Sequence, residues 1–198
     1  MTILRDSNTS VTTFADVTEK VGDLLISAAL DILPTEKISV VSPTGAEYQG
    51  VREAQEVCAV SILRAGASLE NAMRRGYTGR LSFGKILIQR DESTGLPTLY
   101  YSKFPTDIES KIVIILEPML ATGGSACKAI ETIKAKGVPE ENIIFVNILA
   151  SRCGFKKLFE KFPSIHLVTA AVDEHLTPSY HISPGLGDFG DRFYGTNE

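Results

Sequence analysis

The chain has 198 residues, 43% of them hydrophobic, and sets 20 Lys and Arg against 24 Asp and Glu for a formal net charge of −4. That length and apolar content predict one globular domain over 1–198 with a substantial core, while balanced charge without a block of one sign argues against bulk nucleic-acid or membrane-surface binding. No apolar run is long enough to span a bilayer and the first fifteen residues are polar and mixed, so a soluble cytoplasmic protein is expected, with no nucleic acid and no membrane among its partners.

In chain order, Phe14, Val17, Val21, Leu24, Leu25, Ala28 and Ile32 recur at three and four residues, which predicts a helix from Thr13 to Leu33, with Pro34 just past its end. ISVVS and EYQGV flank PTGA, the pattern of a hairpin over 38–51. Five short apolar runs follow: VCAVSIL (57–63), KILIQ (85–89), KIVIILE (111–117), NIIFVNIL (142–149) and IHLVTAAV (165–172). Because they are continuous rather than alternating, they predict strands covered on both faces. Stretches 69–76, 124–136 and 154–161 supply crossover helices, and GLPTLYYSKF is expected to pair with KILIQRDE through a flexible turn at ESTG. The fold class is therefore α/β, a mostly parallel sheet flanked by helices.

Cys58, Cys127 and Cys153 are an odd count without CxxC spacing, and His166, His175 and His181 lack a paired metal-binding spacing, so neither a disulfide framework nor a zinc site is predicted. Two glycine motifs are decoys. Gly79, Gly84 and Lys85 form GxxxxGK, but Ile86 stands where a hydroxyl should meet Mg²⁺ and the Lys opens a strand. Gly185, Gly187 and Gly190 spell GxGxxG, but too little chain follows for a βαβ unit.

Ligands of such sheets collect beyond the carboxyl ends of the strands. EPMLATGGSACKAI begins at Glu117 where an apolar strand ends, turns through small residues and enters a helix at Gly124. The amides of Thr122, Gly123, Gly124 and Ser125 can converge on an anion at that helix N-terminus, with Glu117 beside it for a sugar's hydroxyls. A helix cap is the plainer reading of TGGS alone. Arg64 ends a second strand in ILRAGAS and Arg90 a third in QRDE. Either could make a surface ion pair, but together with the cradle they suggest a ligand with several phosphates.

With LRD and the TTF helix start, PTG, ILRAG, KILIQRDE, PMLATGGS, GVPEENIIF and PGLGDFGDRFYGT in order, the chain resembles the uracil phosphoribosyltransferases, of the type I phosphoribosyltransferase fold. The resemblance implies that Glu117, Pro118, Met119, Leu120, Ala121, Thr122, Gly123, Gly124 and Ser125 bind the ribose 5-phosphate part of phosphoribosyl pyrophosphate, with Arg64 and Arg90 on its pyrophosphate side. It implies a uracil site at the C-terminal loop region, with base contacts at Ile182, Gly187, Asp188 and Phe189. By the same resemblance Asp188 is expected between base and sugar, and Asp191 is expected to have only a structural part. Glu117, Arg64, Arg90 and Asp188 are the implied catalytic set. Uracil and phosphoribosyl pyrophosphate are the implied substrates, Mg²⁺ the cofactor, held mainly by substrate without a direct protein ligand, and a homo-oligomer the expected assembly.

Several positions depart from the family pattern: Glu117 replaces the Asp that usually opens the phosphate loop, His181 a Tyr, Ser183 an aliphatic residue, HLTPS a Leu-Asn segment, and SRCG (151–154) the usual sequence there. The rival expectation is a catalytically weak or inactive relative that senses uracil or UMP.

Overall fold

The computed structural model describes residues 1–90 and 96–196, except the side chain of Arg90. The expected turn at ESTG (92–95) lies outside the described residues. Helix α1 (Thr2–Arg5) precedes α2 (Val11–Leu30), which Ser10 caps by accepting the Thr13 N–H. The hairpin strands are β1 (Thr35–Val41) and β2 (Glu47–Glu53), antiparallel and longer than the sequence pattern indicates.

The main sheet follows: β3 (Val57–Leu63), β4 (Leu81–Arg90), β5 (Pro97–Lys103), β6 (Ile112–Leu116), β7 (Met119–Leu120), β8 (Ile143–Ser151) and β9 (His166–Asp173). A 3-10 turn Ala65–Leu69 runs into α3 (Glu70–Gly76), and α4 (Gly124–Lys134) and α5 (Arg152–Lys161) make the later crossovers. Strands run in the order β5-β4-β3-β6-β8, with both β7 and β9 paired to β8. All pairs are parallel except β4 with β5. Of the expected pairing of GLPTLYYSKF with KILIQRDE, this antiparallel edge joins Lys85 through Arg90 to Pro97 through Lys103, and residues 91, 92 and 95 lie outside the described residues. Strand β4 starts at Leu81, before the apolar run, because LSFG alternates around a glycine and carries too little apolar character to read as a strand. Gly84 and Lys85 thus lie inside a strand, where no phosphate loop can form.

β6 and β8 are buried along their whole length, which is why their sequences read as continuous apolar runs. Alternate side chains feed two cores. One face holds Ile114, Leu116, Ile144 and Val146 against Phe14, Ile26 and Met73 of α2 and α3. The other holds Val113, Ile115, Ile143 and Phe145 against Ala126, Ile130 and Ile133 of α4 and Leu158 of α5. This two-sided packing sends every parallel strand toward the same edge, and β3, β4 and β6 end there beside the segments carrying Arg64, Arg90 and Glu117.

The chain ends in a small ribbon, β10 (His175–Leu176) with β11 (Ile182–Ser183), followed by α6 (Phe189–Tyr194). Sequence periodicity did not show α6: it has six residues, too few for two turns of amphipathic pattern.

Candidate active site

The loop expected to bind phosphate is built by three constraints. Pro118 follows Glu117 and holds it extended, and the Pro118 carbonyl accepts from both Ile148 and Leu149 N–H, at 2.9 and 3.0 Å. β7 then runs beside Leu149 and Ala150. Gly123 turns the chain with φ of 75°, a left-handed conformation that favours glycine, and α4 starts at Gly124. α4 has no side-chain cap, and its first intrahelical bond is Cys127 N–H to Gly123 carbonyl. The Gly124, Ser125 and Ala126 amides therefore point out of the helix without a capping acceptor, an arrangement suited to an anion. Residues Glu117, Met119 and Leu120 through Ala126 line a cavity of about 90 Å³.

A support missing from the sequence reading lies beneath the loop. Ser151 caps α5 by accepting the Gly154 N–H at 2.9 Å, and its hydroxyl donates to the Ala121 carbonyl. Gly154 is pressed against the loop: a Cβ there would lie 2.4 Å from the Ala121 oxygen and 2.9 Å from that of Leu120. The signal was present in SRCG as a Ser followed three residues later by Gly at a helix start, but nothing local says which loop the glycine faces.

Glu117 is half-buried, and its carboxyl accepts one bond, from Met119 N–H at 3.3 Å. Desolvation pushes its pKa up to about 8, opposed by that single amide. The loop carrying Arg64 packs directly above this strand end. A Cβ on Gly66 would be 2.1 Å from the Leu116 carbonyl oxygen, so only glycine fits. The peptide between Leu63 and Arg64 is cis. Arg90 ends β4 opposite Pro97, and Pro97 lies 3.5 Å from where a Gly124 Cβ would stand, so the end of β4 borders the start of α4.

The C-terminal loop faces Arg64. Arg64 Nη2 contacts Asp191 Oδ1 at 2.9 Å, its backbone carbonyl accepts the Tyr194 hydroxyl at 3.1 Å, and its guanidinium lies 5.9 Å from the Tyr194 ring centroid. Asp188 caps α6, accepting the Asp191 N–H at 3.0 Å. The site a Gly190 Cβ would fill is 3.4 Å from Asp188 Oδ1 and 3.5 Å from Arg64 Nη2, so both groups border Gly190. Asp191, expected to have only a structural part, pairs with the Arg64 guanidinium. Its pKa is lowered by the Thr196 hydroxyl first and Arg64 second.

Of the four residues expected at the base, Ile182 and Phe189 turn their side chains into the core, where Phe189 meets Phe14 at 5.4 Å and Phe193 at 5.7 Å between ring centroids. Their backbone groups are what they can offer a ring edge. Gly187 and Asp188 are exposed. The loop's shape is set by residues the motif reading gave no role. Arg5 forks onto both Asp173 oxygens at 2.7 Å and onto the Gly185 carbonyl at 3.0 Å, while Asp173 Oδ2 accepts the Gly185 N–H at 2.9 Å. Hydrogen bonding from Arg5 is the main cause that holds the Asp173 carboxyl below its ordinary value. Arg192 donates to the Leu4, Asp6 and Leu186 carbonyls and stacks over Phe14. The two ends of the chain are therefore tied together under the GLGDFG turn. A strand does enter that turn and a helix leaves it, but β11 pairs only with β10 and α6 spans six residues, so the dinucleotide reading fails on topology.

Among the described residues no group of three or more His, Cys, Asp and Glu could hold a metal ion, and no helix is long and apolar enough to cross a membrane. The three cysteines are free, with Cys58 and Cys127 buried.

The family model for uracil phosphoribosyltransferase matches residues 1–196. The chain is 45% identical to a uracil phosphoribosyltransferase of Dictyostelium discoideum over 197 residues, covering 100% of this chain and 91% of that one. It is 43% identical to a uracil phosphoribosyltransferase of Saccharomyces cerevisiae over 193 residues, covering 98% and 89%. The solved structure of the Aquifex aeolicus protein AQ2163 superimposes with a TM-score of 0.87 at 32% identity, covering 98% and 91%. With this family model and these relatives covering nearly the whole chain, the chain belongs to the uracil phosphoribosyltransferase family.

Proposed function

We propose that the protein transfers the phosphoribosyl group of phosphoribosyl pyrophosphate to N1 of uracil, releasing pyrophosphate and forming UMP. The observation that carries this reading is the start of α4 without a side-chain cap, with Glu117 lining the same cavity. The amides and hydroxyls of 122–125 take the 5-phosphate. Glu117 accepts from the ribose hydroxyls, and Arg64 and Arg90 serve the pyrophosphate. As the bond from sugar C1 to pyrophosphate breaks, its electron pair leaves with the pyrophosphate. N1 of uracil then bonds to C1 and gives up its proton to solvent or to the departing pyrophosphate. The Asp188 carboxylate, placed beside the reacting centre, stabilises the positive charge that develops on the sugar. Backbone groups of the 182–189 segment read the ring edge. A donor facing O4 and an acceptor facing N3–H suit uracil and leave groups unpaired against cytosine.

The site's chemistry fits Mg²⁺. Its cradle consists of N–H and hydroxyl donors that occupy the 5-phosphate, leaving the pyrophosphate oxygens for an ion that Mg²⁺ sites commonly share with substrate phosphates. When bound, the ion neutralises leaving-group charge. Turnover is expected to stop after exhaustive chelation with EDTA and to return with added Mg²⁺; full activity in EDTA would refute the requirement.

Incubating the protein with labelled uracil, phosphoribosyl pyrophosphate and Mg²⁺ tests the whole reading. UMP is the expected product, and tight uracil or UMP binding without turnover would favour the sensing alternative.

A pH dependence follows from Glu117. Its carboxyl is largely protonated at neutral pH, and as pH rises through about 8 it ionises and becomes a stronger acceptor for the ribose hydroxyls. We expect kcat/KM for the donor to climb over that interval in the wild type and to stay flat there in Glu117→Gln. The same raised pKa means that the folded state binds a proton the unfolded chain has lost. Its stability contribution is complete below the carboxyl's ordinary value of 4.5 and fades as pH rises toward 8. Glu117→Gln should accordingly raise the melting temperature at pH 9 more than at pH 4. Parallel pH profiles of the two proteins would refute the assignment.

A further inference from the structure

Asn147 lies in the middle of β8, is 0% exposed, and among the described residues has no hydrogen-bond partner on either its Nδ2 or its Oδ1. An amide left wholly unsatisfied in a core is costly, and selection for packing alone would replace it with an apolar residue. Its position shows what it can serve. Ile115 pairs with Phe145 and both side chains enter the core beneath α4 and α5; Leu116 pairs with Val146 and both enter the opposite core. The ladder continues one step further, since the Glu117 N–H donates to the Val146 carbonyl at 3.1 Å. Glu117 and Asn147 are thus opposite one another and emerge on the same face, about 4.8 Å apart in backbone as neighbouring strands are. On the other side of Asn147, Thr169 of β9 gives its hydroxyl to the Ala171 carbonyl at 3.0 Å. Glu117, for its part, holds a single long bond from Met119. The register therefore brings Glu117 and Asn147, both short of hydrogen-bond partners among the described residues, to neighbouring positions on one face of the sheet.

We propose that Asn147 is a positioning residue for the donor site: when the ribose arrives, the Asn147 amide donates to the Glu117 carboxylate and fixes it toward the sugar hydroxyls. A methylene longer than the family's usual Asp, Glu117 has an additional torsion to restrain, and a buried amide one strand away can do that. The inference rests on the transferase reading of the site.

Valine and threonine at 147 have nearly the same shape and differ in the hydroxyl. Calorimetric titration with phosphoribosyl pyrophosphate and Mg²⁺ should show Asn147→Val binding about tenfold more weakly, the scale of one charge-assisted hydrogen bond. Its melting temperature should equal or exceed that of the wild type. Asn147→Thr should recover most of the affinity. In a Glu117→Ala background, Asn147→Val should have no further effect. Unchanged affinity in Asn147→Val, or the same loss with and without Glu117, would overturn the proposal, as would a loss that merely follows lowered melting temperature. The two readings fail separately: absence of UMP formation by the wild type sinks the transferase reading, whereas the comparison of affinities decides the part of Asn147.

Discussion

Asp188→Asn is expected to lower turnover by about 10² or more, the usual loss when one preorganised charged group is removed from a reacting centre, with little change in melting temperature. Two roles meet in this side chain. As the cap of α6 it accepts the Asp191 N–H, and an asparagine oxygen does that equally well. As a carboxylate that borders Gly190, as the Arg64 guanidinium also does, it supplies charge, which asparagine removes. The substitution therefore separates cap from charge. Asp188→Ala removes both and should lose stability as well as rate. Asp191→Asn is the informative companion. Its carboxylate holds Arg64 at 2.9 Å, so its loss should loosen the guanidinium and weaken donor binding while sparing the chemical step relative to Asp188→Asn. Steady-state rates and melting curves for the three variants check this. An Asp188→Asn protein with near-wild-type turnover would return the residue to a capping role alone.

The difference between those two aspartates shows what the sequence could carry. The parallel sheet was legible because β3, β6 and β8 are buried on both faces and write uninterrupted apolar runs. The turn from Glu117 into α4 was legible because its order of strand, acid, glycines and helix is contiguous in the chain. By contrast, Arg64 meets Asp191 across 127 residues and Arg5 meets Asp173 across 168, and no local pattern encodes a pairing over such a separation. The two-residue strands β10 and β11 and the short α6 are fixed by those distant contacts more than by their own propensities, so they escaped notice. Gly66 and Gly154 belong to the same class. Their sequence shows a small residue, but only the packed structure shows that the Leu116 and Ala121 carbonyls occupy the space a side chain would need.

Gly154→Ala is expected to raise KM for phosphoribosyl pyrophosphate by about 10², because a displacement of about 1 Å in a positioning element can cost that much. The added methyl would sit 2.4 Å from the Ala121 oxygen and 2.9 Å from the Leu120 oxygen, both backbone atoms that no rotamer change can move aside. Either α5 backs away, straining the Ser151 bonds that join its first turn to Ala121, or the phosphate loop shifts toward the cavity it lines. Both routes misplace the Gly124 and Ser125 amides. The C-terminal loop is held instead by Arg5, Asp173 and Arg192, so uracil binding should be affected far less than donor binding. Cys153→Ala, one residue away and exposed, controls for general disturbance of the helix start and should leave KM unchanged. If Gly154→Ala binds donor as the wild type does, the phosphate site is not where α4 begins. If uracil and donor affinities fall together, the substitution has unfolded the strand edge rather than moved one loop.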